Sequence, residues 1–430
     1  MRASRIISIL ALSVVLTVSA YGKNETAADH RAAIEADHSL AAGLHTPYPD
    51  DAYTAPLAAP KGFQPVYIYH FGRHGSRYRS NCKDIKSFLD QLGKAGESGL
   101  LTEQGMDVLR QVRTYYDAQK GHDGELSAVG EREQRRIAER LYNDFPMLFS
   151  GSTHISARST FVLRTLATMG AFCERIKELN PSLDIYRETS KSFVHSEFGQ
   201  RSKGYKAMMA HDTPWYKEYR KIRQANFDGK RISGVLFKSA SAFKSSGIRP
   251  YILAKSLYDV ATCAPNIDVE CNILDLFTTD ELYNMWQVRN IHQCVEYGAC
   301  DLSRKEMETR SDSLILSIVK YADEALRTGN TTATLRFGHD ANIAPLLADL
   351  GAADAYAPTS DIREICHFWS TFELIPMAAN FDFIFYRNGG GKVIVQVRLN
   401  ERPCELPLKK VHGSFYDWKK LRTYMLSRAR

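Results

Sequence analysis

The chain has 430 residues, of which 44% are hydrophobic, 24% charged and 11% aromatic. These values are typical of globular proteins and exclude the disordered, collagenous and coiled-coil classes. The formal charge of +7, from 56 Lys and Arg against 49 Asp and Glu, is modest for this length. It argues against a dedicated nucleic-acid-binding protein, whereas anionic small molecules are suitable ligands. The length allows two or three domains, or one fold with a large insertion.

The first 20 residues have the pattern of a cleavable signal peptide. Arg2 and Arg5 give a basic start, 6–18 is a short apolar run, and 18–20 (Val-Ser-Ala) has the spacing of a cleavage site. The run is too short for a transmembrane helix, which needs ~20 apolar residues. We therefore predict a soluble protein that is periplasmic or secreted and has no membrane span, with an uncleaved anchor as the alternative.

Eight cysteines lie beyond this segment, and an even number in an oxidising compartment predicts disulfide bonds. The short loops Cys263–Cys271 and Cys294–Cys300 indicate two local bonds. A zinc site formed by His292, Cys294 and Cys300 is the alternative, but this segment lacks a paired Cys-x-x-Cys spacing. We therefore expect the cysteines to be structural cross-links.

Residues 21–60 show no sustained hydrophobic period and are predicted to form a leader that crosses the surface. Beyond them, β-branched and aromatic runs alternate with helical spacing, which is typical of βαβ units and a parallel sheet. The predicted strands of this first part are 66–71, 154–157 and 183–186. The predicted helices between them are 83–92, 102–116, a helix with Ser127 as its N-cap, and 160–179.

The alternation stops in residues 187–300, which show helix and loop patterns only. It then returns with a predicted strand at 333–337, a helix at 341–350 and an antiparallel hairpin at 381–386 and 393–397. We therefore predict an α/β fold whose mostly parallel sheet is flanked by helices and interrupted by a mainly helical cap domain. The predicted division is a core of residues 21–186 and 301–430 and a cap of residues 187–300.

Basic side chains follow the first predicted strand directly. Arg73, His74 and Arg77 lie within five residues, and Gly75 permits a tight backbone between them. Open α/β sheets bind ligands at the carboxyl ends of their strands. Three potentially cationic groups repel one another unless an anion joins them, and guanidinium groups match phosphate oxygens bidentately. The segment therefore favours a phosphate site over a solvated basic loop, which is the alternative.

Two further segments follow predicted strands. His339 and Asp340 come directly after 333–337, and this pair suits either acid–base chemistry or a capped helix start. Arg164 lies early in the helix 160–179, where an arginine is usually a surface charge. Because the carboxyl ends of parallel strands meet at one edge of a sheet, we expect these side chains to face one crevice.

Together the motifs resemble those of the histidine acid phosphatases, which have the phosphoglycerate-mutase-like fold. Residues 73–77, Arg-His-Gly-Ser-Arg, look like the signature of that family. The His339-Asp340 pair matches its second motif. Residues 164–169 are similar to its helix with a further phosphate-binding arginine. The predicted cap also falls where that family has one.

The resemblance implies a role for each of these residues. His74 would be the nucleophile that forms a phosphohistidine. Asp340 would protonate the leaving alcohol and then accept a proton from water. The groups that would bind the phosphoryl oxygens are Arg73, Arg77, Arg164 and His339. Because these groups supply the positive charge, the resemblance implies no metal and no cofactor.

Two departures concern the branch of the family. Ser76 and Tyr78 are similar to the multiple inositol polyphosphate phosphatases, but that branch usually has a glutamate where this chain has Ala341. Asp340 follows the acid phosphatases instead. The family often has a proline where this chain has Arg79. The resemblance therefore implies a reaction, the hydrolysis of phosphate monoesters, without fixing one substrate.

The predicted cap is basic: residues 187–249 contain 14 Lys and Arg against five Asp and Glu. This surplus would attract multiply phosphorylated substrates, unless it forms a solvated helical face. We therefore predict an exported phosphomonoesterase that acts through a phosphohistidine on polyanionic phosphate esters, with inositol polyphosphates such as phytate favoured. A broad acid phosphatase for sugar phosphates or nucleotides is the alternative. A phosphate-binding protein without turnover is the rival from another class.

Overall fold

A computed structural model describes residues 27–199 and 203–429. The predicted signal peptide, residues 1–20, lies outside them. The described residues form one sheet of eight strands. These are β1 Phe63–Arg73, β2 His154–Ser159, β3 Asp184–Thr189, β4 Thr331–Gly338, β5 Asn380–Asn388, β6 Val393–Leu399, β7 Arg402–Pro403 and β8 Phe415–Asp417.

The sheet has a parallel half and an antiparallel half. Its strand order is β3-β2-β4-β1-β5-β6-β7, and β8 pairs with β6. The strands from β3 to β1 in this order are parallel neighbours, whereas every pair beyond β1 is antiparallel. The predicted α/β class and the β5–β6 hairpin are thereby confirmed. The parallel share is smaller than expected, because short turns connect β5, β6 and β7, and such turns join only antiparallel strands.

Helices surround this sheet. Those before β3 are α1 Ala27–Ala36, α2 Lys83–Glu97, α3 Glu103–Gln119, α4 Ala128–Asp144 and α5 Leu163–Leu179. Those after β4 are α15 Asp340–Leu350, α16 Thr371–Leu374 and α17 Trp418–Arg428. Short 3₁₀ helices are His38–His45, Asp50–Ala52, Pro146–Phe149, Ala264–Ile267, Ile273–Leu276, Ala352–Asp354 and Ile365–His367.

Between β3 and β4 the described residues form helices and add no strand to the sheet. These helices are α6 Lys191–Ser196, α7 Tyr205–Met208, α8 Pro214–Asn226, α9 Lys230–Leu236, α10 Ala240–Ser245, α11 Pro250–Cys263, α12 Thr279–Tyr297, α13 Arg304–Met307 and α14 Asp312–Thr328. Helices α6 to α12 lie within residues 187–300, where a helical pattern is predicted, but residues 187–189 belong to β3 and the helices continue to Thr328. Among the described helices, none combines the length and the apolar character that crossing a bilayer requires.

Successive side chains of β1 belong to two hydrophobic cores, one on each face of the sheet. Tyr67, Tyr69 and Phe71 belong to one core and Ile68 to the other, because successive side chains of a strand point to opposite faces. All four are buried. Helices α4 and α5 cover the Ile68 face, while α14, α15 and α17 lie against the other. The centre of the sheet is thus covered on both faces, which leaves the strand ends as the place for a polar site.

Only part of the segment predicted to be a surface leader follows the surface: residues 53–60 are exposed or half-buried, whereas several residues of 30–48 pack into the fold. Ile34 of α1 and Ala41 of the 3₁₀ helix His38–His45 are fully buried. The carbonyl of Leu44 in the same helix accepts a hydrogen bond from the Arg73 guanidinium. The prediction is wrong for this earlier part, because a short 3₁₀ helix of small residues leaves no α-helical or strand period to detect.

The structure does not show the predicted disulfide bonds, since all eight cysteines are free thiols in it. Cys173 lies in the core beneath α5, whereas Cys263, Cys294 and Cys300 belong to the core on the other face of the sheet. Of the two predicted local pairs, Cys294 and Cys300 have their thiols in hydrogen-bond contact. In the described part of the chain, no group of three or more His, Cys, Asp or Glu is arranged to hold a metal ion, the proposed zinc set included.

A buried carboxylate connects the insertion to the loop after β1. Asp259 of α11 is 3% exposed. It binds Lys255 (2.6 Å), Arg79 (3.1 Å) and Arg289. Burial alone would raise the pKa of Asp259, but Arg289 and Arg79 hold it well below the ordinary value. The carboxylate therefore balances three cations that come from three different elements.

We expect Asp259→Ala to destabilise the protein by about 3–5 kcal/mol, because removing one partner leaves buried cations uncompensated. Urea unfolding followed by circular dichroism measures the loss. Asp90→Ala is the matched control, since Asp90 is an exposed carboxylate that pairs with Lys86 on the surface of α2. Equal midpoints for the two variants would contradict this role of Asp259.

Candidate active site

The strand register sets the position of the site. Arg73, the last residue of β1, lies opposite Gly338 at the end of β4. Ser159, the last residue of β2, lies opposite Phe337. The three chain segments that leave these parallel strands therefore start side by side at one edge of the sheet. They carry the residues predicted from the sequence.

Arg73 is fully buried and is held on one side by the backbone. Its Nη1 donates to the carbonyls of Leu44 (2.7 Å) and Ile375 (2.6 Å). Its Nε and Nη2 have no hydrogen-bond partner among the described residues. Buried N–H groups are almost always satisfied in folded proteins. The unsatisfied side of this guanidinium is therefore suited to an anion.

His74 is 1% exposed and presents one defined nitrogen to the site. Its Nδ1 lies 2.9 Å from the carbonyl oxygen of Gly75. A carbonyl can only accept, so Nδ1 carries the proton and Nε2 keeps its lone pair in the neutral ring. Burial, with Arg73 and Arg77, lowers the pKa of His74 well below its ordinary value. His74 is therefore a neutral imidazole with a nucleophilic Nε2.

Two glycines let the loop after β1 lie directly on α4. A Cβ added to Gly75 would overlap the Gly130 backbone, and one added to Gly130 would overlap the backbone of Ser76. Glu133, one turn further along α4, accepts hydrogen bonds from the Ser76 amide and hydroxyl, both at 2.7 Å. Ser127 caps α4 as predicted, and its hydroxyl accepts from the Gly130 amide. The loop with Arg73 and His74 is thus fixed to the start of a helix.

Arg77 and Arg164 add two further cations. Arg77 donates to the Tyr78 carbonyl (2.8 Å), and its Nε has no partner among the described residues. Arg164 lies in the first turn of α5, and its Nε is likewise buried without a described partner. Burial and Arg77 lower the pKa of Arg164 to about 10, and burial and Arg73 lower that of Arg77. The shifts show that these cations crowd one another in a poorly solvated site.

His339, on the segment that leaves β4, contacts the segments that leave β1 and β2. Its amide donates to Asn342 Oδ1 (2.8 Å) at the start of α15. Its Nε2 is 3.1 Å from Thr160 Oγ1, and its Nδ1 is 3.4 Å from Arg164 Nη2. The ring meets that of His74 edge to face, with centroids 5.6 Å apart. Burial and Arg164 lower the pKa of His339 to about 4, so the ring is neutral near pH 6.

Asp340, the first residue of α15, has a different partner at each oxygen. Oδ1 lies 3.5 Å from Arg73 Nε, and Oδ2 accepts a hydrogen bond from Tyr297 Oη. Burial disfavours the charged carboxylate, but Arg73 and the Tyr297 hydrogen bond hold the pKa of Asp340 well below its usual range. In the ligand-free site Asp340 is therefore ionised.

The structure brings all six predicted site residues together at this edge. Direct contacts connect His74 with His339, His339 with Arg164, and Arg73 with Asp340. Arg77 joins them through its electrostatic coupling to Arg73 and Asp340. The N-termini of α5 and α15 also lie here, and helix N-termini favour anions. The arrangement offers a nucleophile, a carboxyl group and several donors around a position that suits a phosphoryl group.

Sequence reasoning missed four residues of this region: His45, Glu133, Thr160 and Tyr297. His45 is the residue after Leu44, whose carbonyl accepts a hydrogen bond from Arg73. Burial and Arg77 lower the pKa of His45 well below the ordinary value. Thr160 had a signal, since it follows a predicted strand just as Arg73 does. His45, Glu133 and Tyr297 reach the site through tertiary packing, for which no local sequence signal exists.

Comparison with known proteins gives concordant results. The family profile of the histidine phosphatase superfamily (branch 2) matches residues 250–400, which include His339 and Asp340. The chain is 22% identical over 371 residues to multiple inositol polyphosphate phosphatase 1 of Gallus gallus, covering 82% of this chain and 79% of that protein.

Two solved structures share the fold. One is the multiple inositol polyphosphate phosphatase of Bifidobacterium longum in complex with inositol hexasulfate, with a TM-score of 0.64, 17% identity, and coverage of 90% of this chain and 97% of that one. The other is the phytase from D. castellii, with a TM-score of 0.63, 14% identity, and coverage of 91% and 85%.

The α/β fold and the histidines and arginines at this edge agree with the resemblance to the histidine acid phosphatases. The profile match over residues 250–400 supports the resemblance drawn from the sequence.

We expect Gly130→Ala to lower kcat/KM for 4-nitrophenyl phosphate on the order of 10²-fold, because the added methyl group must displace the loop with His74. Gly170→Ala is the matched control: Gly170 lies within α5, and a Cβ there meets nothing within 4 Å. Steady-state hydrolysis and thermal unfolding of both variants test this. Unchanged activity in folded Gly130→Ala would contradict the close contact.

Proposed function

We propose that the chain is an exported phosphomonoesterase that works through a phosphohistidine at His74 and prefers inositol polyphosphates. The observation that carries this proposal is the geometry around His74. Its ring is neutral with Nε2 unprotonated, and three arginines surround it, each with a buried N–H group that has no hydrogen-bond partner among the described residues. A nucleophile is not needed in a protein that only binds phosphate, so this arrangement favours turnover.

In the first step, His74 Nε2 attacks the phosphorus and the bond to the alcohol oxygen breaks. The proton of the neutral Asp340 carboxyl passes to that oxygen, so the alcohol leaves uncharged and Asp340 becomes a carboxylate. Arg73, Arg77 and Arg164 stabilise the charge on the phosphoryl oxygens. The approach of a phosphate dianion raises the pKa of Asp340, which lets the carboxyl acquire its proton before transfer.

In the second step, water attacks the phosphohistidine. Asp340 accepts a proton from this water, the N–P bond breaks, and phosphate leaves with His74 neutral again. The bound dianion also raises the pKa of His339, so this ring can take up a second proton and donate to the phosphoryl group. The same residues thereby serve both steps.

The preference for inositol polyphosphates rests on charge and on the relatives. Those relatives include a multiple inositol polyphosphate phosphatase bound to inositol hexasulfate. Lys203 and Lys206 are exposed beside Tyr205, whose hydroxyl donates to Glu296 (2.8 Å), the neighbour of Tyr297. We infer from these contacts that the two lysines lie on the Asp340 side of the site. There they would meet the phosphates of a substrate that are not being cleaved.

Other cations of the insertion are engaged elsewhere. Ion pairs within the insertion are Lys221–Glu218, Lys230–Asp228 and Arg231–Glu281. Part of the basic surplus therefore belongs to a solvated surface. Export through the signal peptide of residues 1–20 and the division into a core and a cap of residues 187–300 are parts of the same proposal.

We expect His74→Ala to fold and to bind orthovanadate through the arginines, while phosphatase activity falls on the order of 10⁴-fold or more. Wild-type protein quenched in alkali during turnover of ³²P-labelled substrate should carry the label on His74. His154→Ala is the control, because His154 is an exposed histidine on β2 that pairs with Asp184. Label on Ser76, or no labelled protein in a rapid quench, would contradict the covalent step.

The substrate preference predicts an effect of surface charge that depends on the substrate. The double change Lys203→Gln and Lys206→Gln should lower kcat/KM for phytate roughly 10-fold at low salt, and less at high salt. Turnover of 4-nitrophenyl phosphate should stay unchanged. Lys230→Gln, an exposed lysine paired with Asp228, is the control. Similar kcat/KM values of the wild type for phytate, a sugar phosphate and the aryl phosphate would favour a broad acid phosphatase instead.

A further inference from the structure

Tyr297 reaches the site from the end of α12, outside the three segments that follow the strands. Its side chain is buried, with the residue 4% exposed, and its hydroxyl donates to Asp340 Oδ2. The other oxygen, Oδ1, faces Arg73 Nε at 3.5 Å. The two carboxylate oxygens therefore have separate surroundings. Oδ2 accepts the hydrogen bond from Tyr297. Oδ1 lies on the side where the N–H groups of Arg73 have no hydrogen-bond partner among the described residues.

The phenol of Tyr297 is confined to the role of a donor. Burial, Asp340 and Glu296 raise its pKa well above the ordinary value, although Arg73 opposes this shift. The Arg310 guanidinium lies 5.5 Å from the centre of the ring, and Trp369 meets the ring edge to face. The hydroxyl therefore keeps its proton and its direction whenever Asp340 changes its protonation state.

The charged groups around Asp340 come from several elements. Burial favours the neutral acid, whereas Arg73 of β1, the Tyr297 hydrogen bond, His339 and Arg77 favour the carboxylate. Among these partners, Tyr297 is the uncharged donor, and its removal changes no formal charge. Its contribution can therefore be separated from that of the phosphate-binding cations.

We propose that Tyr297 is a positioning residue for the acid: it occupies Oδ2 of Asp340, so that Oδ1 delivers the proton to the leaving oxygen. A hydrogen bond donated to Oδ2 leaves Oδ1 as the oxygen that carries the acidic proton, on the side of Arg73 where the phosphoryl group is proposed to bind. When that proton departs, the hydrogen bond from Tyr297 strengthens because its acceptor has become charged. This inference rests on the proposed role of Asp340.

Tyr297→Phe tests the proposal with two substrates. An alkyl phosphate needs a protonated leaving group, whereas the phenolate of an aryl phosphate leaves unaided. We expect kcat for the alkyl ester to fall on the order of 10-fold to 100-fold, the usual effect of a hydrogen bond to a charged group. Aryl phosphate turnover should change less than about twofold, since general acid catalysis contributes little to it.

The pH profile distinguishes positioning from a merely structural role. The hydrogen bond from Tyr297 stabilises the Asp340 carboxylate, so its loss raises the pKa of this acid. The acid then stays protonated to higher pH, and the alkaline limb of kcat for the alkyl ester should move to higher pH in Tyr297→Phe. A local loss of packing would lower kcat for both substrates and leave the limb in place.

Two further variants complete the experiment. Tyr386→Phe is the matched control, because Tyr386 is a buried tyrosine that donates to Gln396 near the opposite end of β1. Tyr386→Phe should change neither the ratio of alkyl to aryl phosphate turnover nor the position of the alkaline limb. Replacement of Tyr297 by 3-fluorotyrosine keeps the ring and strengthens the donor, so it should move the alkaline limb to lower pH. This replacement decides the question if Tyr297→Phe does not fold.

Asp340→Asn separates failure of the inference from failure of the proposed function. If Asp340→Asn lowers alkyl and aryl turnover equally, Asp340 is not the acid, and the role of Tyr297 falls with it. If Asp340→Asn separates the substrates while both Tyr297 variants leave the ratio and the limb unchanged, Tyr297 has no positioning role and the proposed function stands. An alkaline limb that moves to higher pH in Tyr297→Phe and to lower pH with 3-fluorotyrosine at position 297 supports the inference.

Discussion

The site depends on holding three arginines close together, against their mutual repulsion, at one edge of the sheet. Arg73 carries the largest constraint, since it is fully buried and its Nη1 is fixed by the carbonyls of Leu44 and Ile375. These carbonyls belong to a 3₁₀ helix near the start of the described chain and to a segment just before β5. Distant parts of the sequence must therefore fold correctly before this cation reaches its place.

The same constraint explains the protonation states of the histidines. Burial and the surrounding cations lower the pKa of both His74 and His339, so both rings are neutral near pH 6. A neutral ring supplies the lone pair that attacks phosphorus. Asp340 responds in the opposite sense, since cations favour its charged form. A bound phosphate dianion offsets all these shifts, which couples substrate binding to proton transfer.

Much of the fold and of the site could be predicted from the sequence, for a local reason. The strands β1, β2 and β4 are compact β-branched and aromatic runs. Arg73 ends β1 and His74 follows it, while His339 and Asp340 follow β4. The parallel register then brings these residues together with no further information. The N-cap at Ser127 is equally local, because capping depends on residues within one turn.

The rest depends on tertiary packing. Tyr297 meets Asp340 across 43 residues of chain, and Ser76 meets Glu133 across 57. Neither tyrosine nor glutamate forms a motif that marks such a contact. The 3₁₀ helix His38–His45 has no period to detect, and the cysteine count does not reveal that the sheet separates Cys173 from Cys263, Cys294 and Cys300. These features follow from how the helices pack on the sheet.

The most direct test of the account is a crystal structure of the protein with orthovanadate. The account predicts vanadium bonded to His74 Nε2 and vanadate oxygens bound by Arg73, Arg77 and Arg164, with Asp340 Oδ1 beside the apical oxygen opposite His74. Vanadate bound elsewhere, or bound at this edge with Nε2 of His74 turned away from it, would contradict the central claim.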